Sequence, residues 1–92
     1  MTVRDEIRAG LVAIAAQNDP TYPERPGPNS EAATRLLDDV DGIDAVLLDR
    51  LGAIQVAGVP GPEAFIDMLE EYWIPTEATL ATLIGDFIAA NP

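Results

Sequence analysis

Three aspartates crowd one short segment, with Asp39 and Asp41 before or beside Gly42 and Asp44 just after it. Acids at alternate positions around a glycine are the raw material of an EF-hand calcium loop, where carboxylates ring the ion and the glycine makes the sharp turn. With Gly42 in the glycine position, Asp39 and Asp41 fit. Leu37, however, stands where the first aspartate belongs, and Leu48 where the bidentate glutamate belongs. The ligand set is incomplete, so no metal is expected, and the acids read as carboxylates near the positive end of the next helix dipole. Acid–base catalysis is the other chemistry carboxylates offer, and it needs two of them converging in a pocket with separated pKa values. Glu70 and Glu71, like Asp38 and Asp39, are adjacent, so they diverge by ~100° on a helix. They do not converge, and a 92-residue chain has little material for a substrate pocket once its core is filled.

The rest of the inventory narrows the chemistry further. There is no Cys, His or Lys, and the only serine is Ser30. Disulfides, thiolate nucleophiles, histidine metal sites and Schiff bases are thereby excluded, and neither an enzyme nor a cofactor is expected. Sixteen acids against five arginines (Arg4, Arg8, Arg25, Arg35 and Arg50) give a net charge of -11, the reverse of the basic footprint that direct nucleic-acid binding requires. Such a surface instead steers basic protein partners, or, with acids laid out at phosphate spacing, mimics DNA toward a nucleic-acid-processing protein. The absence of Lys beside abundant Ala, Gly, Pro and Arg predicts a GC-rich coding source, such as an actinobacterium or a phage.

One stretch pairs chemistry with shape. Pro20, Pro23 and Pro26 recur at a spacing of three, with Pro28 beyond and Tyr22 and Arg25 interleaved. Three is the polyproline II repeat, which would line the prolines along one edge for an aromatic groove on a partner, with Arg25 orienting the contact. The same residues also make a stiff connector over 19–29 between helices.

The elements that position these residues follow from apolar periodicity. Hydrophobic residues at 48% with 23% charged are the balance of a folded domain rather than an acidic disordered tail, and 92 residues hold one core. Because aromatics are only 5%, aliphatic side chains must fill it. Helical spacing predicts five segments. The first spans about 3–17, with Val3, Ile7, Leu11 and Ile14 within a ~80° arc and a capping box from Thr2 and Asp5. The second spans 30–40, capped by Ser30, with Leu36, Leu37 and Val40 on one side. The third opens near Asp41 and Asp44 and puts Ile43, Val46, Leu47, Leu51 and Ile54 on one face, with Leu48 off it. The fourth runs from Pro62 to Trp73 and stops at Ile74-Pro75, because the residue before proline is pushed out of helical angles. Thr76 caps the fifth, to Ala90, on the stripe Leu80, Leu83, Ile84, Phe87 and Ile88. Gly10 and Gly85 fall inside helices, where each costs about 1 kcal/mol against alanine, and predict close approach of two backbones. No strand alternation competes, so the expected fold is all-α: a small bundle of four to five short helices forming a single domain over 1–92, with the Pro-rich connector after the first helix.

The segment Phe65-Ile-Asp-Met-Leu-Glu-Glu-Tyr-Trp-Ile-Pro75, followed by amphipathic Thr79 to Ile88, resembles the second half of an acyl carrier protein, and Leu47-Leu-Asp-Arg-Leu-Gly-Ala53 resembles the stretch before that family's prosthetic-group serine. The resemblance covers about 40 residues and implies a helical bundle. Counting back from Leu69 puts Val59 at the serine position, and counting forward from Gly52 and Ala53 puts Gln55 there. Neither bears a hydroxyl, so the resemblance implies a carrier-like bundle lacking the serine and hence lacking phosphopantetheine.

These observations point to a non-enzymatic acidic protein-interaction module, acting in assembly, for example of a phage or multi-subunit particle, or in regulation of a partner. Self-association is the other mode open to it. Ile66 and Trp73, seven residues apart on the fourth helix, extend its apolar arc to about 160°, more than one core needs. They are expected, with Ile74 and Pro75, to form the partner surface, and Tyr22 and Arg25 to form a second contact. The longest apolar stretch near the start, Leu11 to Ala16, is too short to span a bilayer, and Asp5 and Glu6 offset Arg4 and Arg8 in what would be a basic leader. A cytoplasmic location, or a virion for a phage protein, is the corresponding expectation, with no membrane contact.

Overall fold

Thr2 sets the start of the first helix. In the computed structural model, which describes residues 2–92, its hydroxyl accepts from the N–H of Asp5, and the Asp5 carboxylate accepts in return from the N–H of Thr2. Two N–H groups that a helix start leaves without partners are thus satisfied reciprocally. Helix α1 (Val3–Ala15) buries Ile7, Leu11 and Ile14, the expected face.

The chain between α1 and α2 (Ser30–Leu37) departs from expectation. It does not run as an extended polyproline edge. Asn18 and Pro26 form a bridge, the N–H of Asp19 donates to Arg25 O and that of Gly27 to Gln17 O, so the segment folds back on itself. The Asp19 carboxylate accepts from the N–H groups of Thr21 and Tyr22 and makes the turn, a competition that short polar side chains win readily over regular structure. Ser30 is not a cap. It is the first residue of α2, and its hydroxyl donates to Ala15 O, fastening the start of α2 to the end of α1.

Helix α2 stops at Leu37, and a 3-10 turn (Val40–Gly42) carries buried Val40 back onto the core. Asp44, rather than Asp41, caps α3 (Ala45–Ala53), accepting from Val46 N at 2.7 Å. The face of α3 is rotated from the expected one: Leu48 is 6% exposed and Val46 67%. The first turn of α1 stands on the buried side. Leu48 lies beside Val3 and Arg4, while the Arg4 guanidinium donates to the carbonyls of Val40 and Ile43 and fixes α1 against the entry to α3.

A two-stranded antiparallel hairpin was not anticipated. Strand β1 (Gln55–Val56) pairs with β2 (Val59–Pro60) across Ala57 and Gly58, both at positive φ, 52° and 84°. Positive φ at both central residues gives the turn the twist of the strands it joins. Helix α4 (Gly61–Glu71) follows with Pro62 in its first turn, and α5 (Leu80–Ala90) is capped by Thr79, which accepts from Thr82 N, and not by Thr76.

Among the described residues the molecule is therefore mostly helical, five α-helices with one short hairpin, around a contiguous aliphatic core that Phe65 and Phe87 cross edge to face at 5.5 Å. Gly10 makes one of its closest contacts. A Cβ there would stand 2.6 Å from Ile66, so α1 reaches α4 only because the side chain is absent. The contact is helix backbone against a side chain rather than the expected backbone against backbone. Gly85 faces open space and makes no such approach. Among the described residues, no helix is long and apolar enough to cross a membrane.

Candidate functional site

The exit from α4 is the most unusual surface of the molecule. Ile74 precedes Pro75, and the chain leaves helical angles at Tyr72, so the helix ends at Glu71, two residues before the expected Trp73. The released backbone is caught by Asn29. The buried amide of Asn29 donates to Leu69 O at 3.0 Å and to Tyr72 O at 2.7 Å, and its oxygen accepts from Ile74 N at 3.0 Å. One side chain thus satisfies one carbonyl of the last turn of α4 and one polar atom of each peptide group flanking Trp73, Tyr72 O and Ile74 N, atoms that would be costly to bury without partners. Ile74 itself is 1% exposed and anchors the strand-like segment in the core. Beyond it, the Arg35 guanidinium donates to Pro75 O at 3.1 Å and Ala78 O at 2.7 Å, holding the approach to α5.

Between these two fixed points the side chains of Tyr72 and Trp73 stand in solvent, each 66% exposed. Trp73 borders a groove of about 240 Å³ toward α2, with Pro28, Ala32 and Ile74 giving apolar wall and Glu31 and Arg35 its polar edge. Large aromatics in solvent are the residues most enriched at binding hot spots, and a backbone fixed on both sides lowers the ordering cost of using them.

The expected partner residues are dispersed by the fold. Trp73 and Pro75 are exposed, but Ile74 is core and belongs to the support of the site, not to its surface. Ile66 is buried against Gly10 at the junction of α1 and α4. Because α4 ends before Trp73, helical spacing no longer carries Trp73 to Ile66's side, and the two line different grooves. Tyr22 and Arg25 do come together: the guanidinium carbon lies 4.6 Å above the phenol ring, in the exposed loop, so each already has the other as partner.

Asn29 and Arg35 were missed. Asn29 reads in the sequence as one more polar loop residue before Ser30, and nothing local signals that its partners lie about 40 residues on. Arg35 is tied by the same long-range geometry.

The carboxylates are employed one by one. Asp39 accepts from Leu80 N at 3.3 Å, Asp41 pairs with Arg8, and Asp44 caps α3. Asp5 has its pKa lowered, first by the hydroxyl and backbone N–H of Thr2 and then by Arg8. Among the described residues the only ion pairs are those of Arg8 with Asp5 and Asp41. Arg4 and Arg35 are spent on backbone carbonyls and Arg25 on Tyr22, so most of the acidic charge stays uncompensated on the surface. Val59 and Gln55, the two positions that align with a carrier serine, both lie on the hairpin. No protein-family model, curated protein or solved structure matches the chain.

Proposed function

We propose that the protein acts by binding a basic protein partner, with Trp73 and Tyr72 as the anchor, in assembly or in regulation rather than in catalysis. The observation that carries the reading is the exposure of Trp73 on a backbone fixed by Asn29 on one side and by the burial of Ile74 on the other. An indole left in solvent costs apolar hydration, and that cost is recovered when a partner covers it. The charge says what kind of partner: at -11, two copies of this chain repel, whereas a basic surface is attracted from a distance and oriented on approach.

The test compares the full chain with Trp73→Ala as bait, followed by reconstitution with each purified candidate. The reading expects a basic partner that binds the parent stoichiometrically, survives moderate salt through its apolar contact, and is lost with Trp73→Ala although that variant remains folded. Equal binding by Trp73→Ala overturns it. Displacement of the partner by duplex DNA at physiological ionic strength also overturns it, in favour of an acidic DNA mimic.

A further inference from the structure

On the other flank of α4 lies a second groove, of about 310 Å³, between α1 and α4. Its floor is apolar: Ala9 and Gly10 from α1, Pro62 and Ile66 from α4. The floor is preformed, because Gly10 lets Ile66 lie against the α1 backbone and any Cβ there would displace it. Three carboxylates edge it, Glu6 from one wall and Glu63 and Asp67 from the other. Glu63 and Asp67 are four apart on α4, a like-charge spacing that disfavours a helix. None of the three forms an ion pair among the described residues, and no base lines the groove.

An apolar trough with acids only at its mouth has the shape of one ligand chemistry, a hydrocarbon stem ending in a cation. Arginine side chains bury their stems on apolar surface while the head stays at the polar edge, and the planar guanidinium reaches two carboxylates at once. We infer that the α1–α4 groove receives an arginine side chain from the basic partner, its methylenes on Gly10, Pro62 and Ile66 and its guanidinium between Glu63, Asp67 and Glu6. This rests on the reading of the protein as a module for a basic partner, and adds a contact separate from Trp73 that would set the partner's register.

The test uses N-butylguanidinium, the stem and head without a peptide, titrated into the full-length 15N-labelled protein at constant ionic strength. The expected result is saturable amide shifts confined to residues 6–10 and 62–67, absent with guanidinium alone or butanol alone at the same concentrations. Glu63→Gln combined with Asp67→Asn should weaken binding by about tenfold or more, since two of the three carboxylates around the head are lost and only Glu6 remains, while the circular dichroism of the variant matches the parent and its melting is not lowered. Shifts that are scattered or unsaturable, that guanidinium alone reproduces, or that survive the double variant overturn the inference. Because the probe is not the partner, such a failure leaves the Trp73 reading standing. Conversely, retention of the partner by Trp73→Ala leaves a positive N-butylguanidinium result intact.

Discussion

Two glycines that look alike in sequence should respond oppositely to the same substitution. Gly10 and Gly85 both sit in helix interiors, α1 and α5, where alanine is favoured by about 1 kcal/mol. Gly85 has nothing within 4 Å of an added Cβ, so Gly85→Ala should realise that gain and raise the melting temperature by roughly 4–8 °C, the shift of about 1 kcal/mol in a domain of this size. At Gly10 the same methyl would stand 2.6 to 2.7 Å from three carbons of Ile66. Two of those carbons are attached to Cβ, so Ile66 cannot swing its far end away and must shift with α4. Overpacking of this kind costs about 1–3 kcal/mol. The propensity gain is common to both variants, so their difference isolates the packing cost: Gly10→Ala should be about 1–3 kcal/mol less stable than Gly85→Ala. Urea unfolding followed by circular dichroism measures this directly. A double-mutant cycle gives the cause, since Ile66→Ala removes all three clashing carbons, and on that background Gly10→Ala should become stabilising, as at Gly85. Equal stabilisation by the two single variants, or a Gly10→Ala cost that persists in the Ile66→Ala background, would refute the close approach of α1 and α4.

Other consequences are more local. Asn29→Ala should leave the buried Ile74 N–H without a partner and destabilise the fold by about 1–3 kcal/mol from that group alone, seen as lowered thermal unfolding. Ala57 occupies a left-handed conformation that costs an L-residue roughly 1–2 kcal/mol, so Ala57→Asn, which creates the favoured Asn-Gly turn, should raise the melting temperature by several degrees. In a carboxyl NMR titration Asp5 should titrate below the ordinary aspartate value of about 3.9, and Thr2→Ala should move it back up. Its pKa is depressed in the folded state, so the capping contribution is complete above the ordinary value and is lost as pH falls through the folded one.

Much of the helical architecture is legible in the sequence because its signals are local. The Thr2 and Asp5 capping box, the apolar spacing of Ile7, Leu11 and Ile14 and Pro62 in the first turn of α4 each act within a few residues. What failed depended on partners far along the chain. The α3 stripe offers two overlapping apolar arcs, and local spacing does not choose between Leu48, which the fold buries, and Val46, which it leaves exposed. The hairpin strands, two residues each, are too short to show alternation, and Ala57-Gly58 is a poor turn signal. The prolines that read as an extended edge are bent by the Asp19 carboxylate and a bridge from Asn18. At the candidate site, the sequence identified Trp73 as surplus to the core but attached it to Ile66 through a helix that had already ended. The residue that makes Trp73 a surface feature, Asn29, binds across more than 40 positions and leaves no local trace.

The central claim is that the indole of Trp73 stands in water on a fixed backbone, ready for a partner to cover. Trp73 is the only tryptophan in the chain, so its fluorescence reports that residue alone. Acrylamide quenching of the folded, partner-free protein should approach the efficiency seen after unfolding in urea, with a red-shifted, water-like emission, as 66% exposure requires. A blue-shifted emission shielded from acrylamide until the protein unfolds would place the indole in the core and contradict the account.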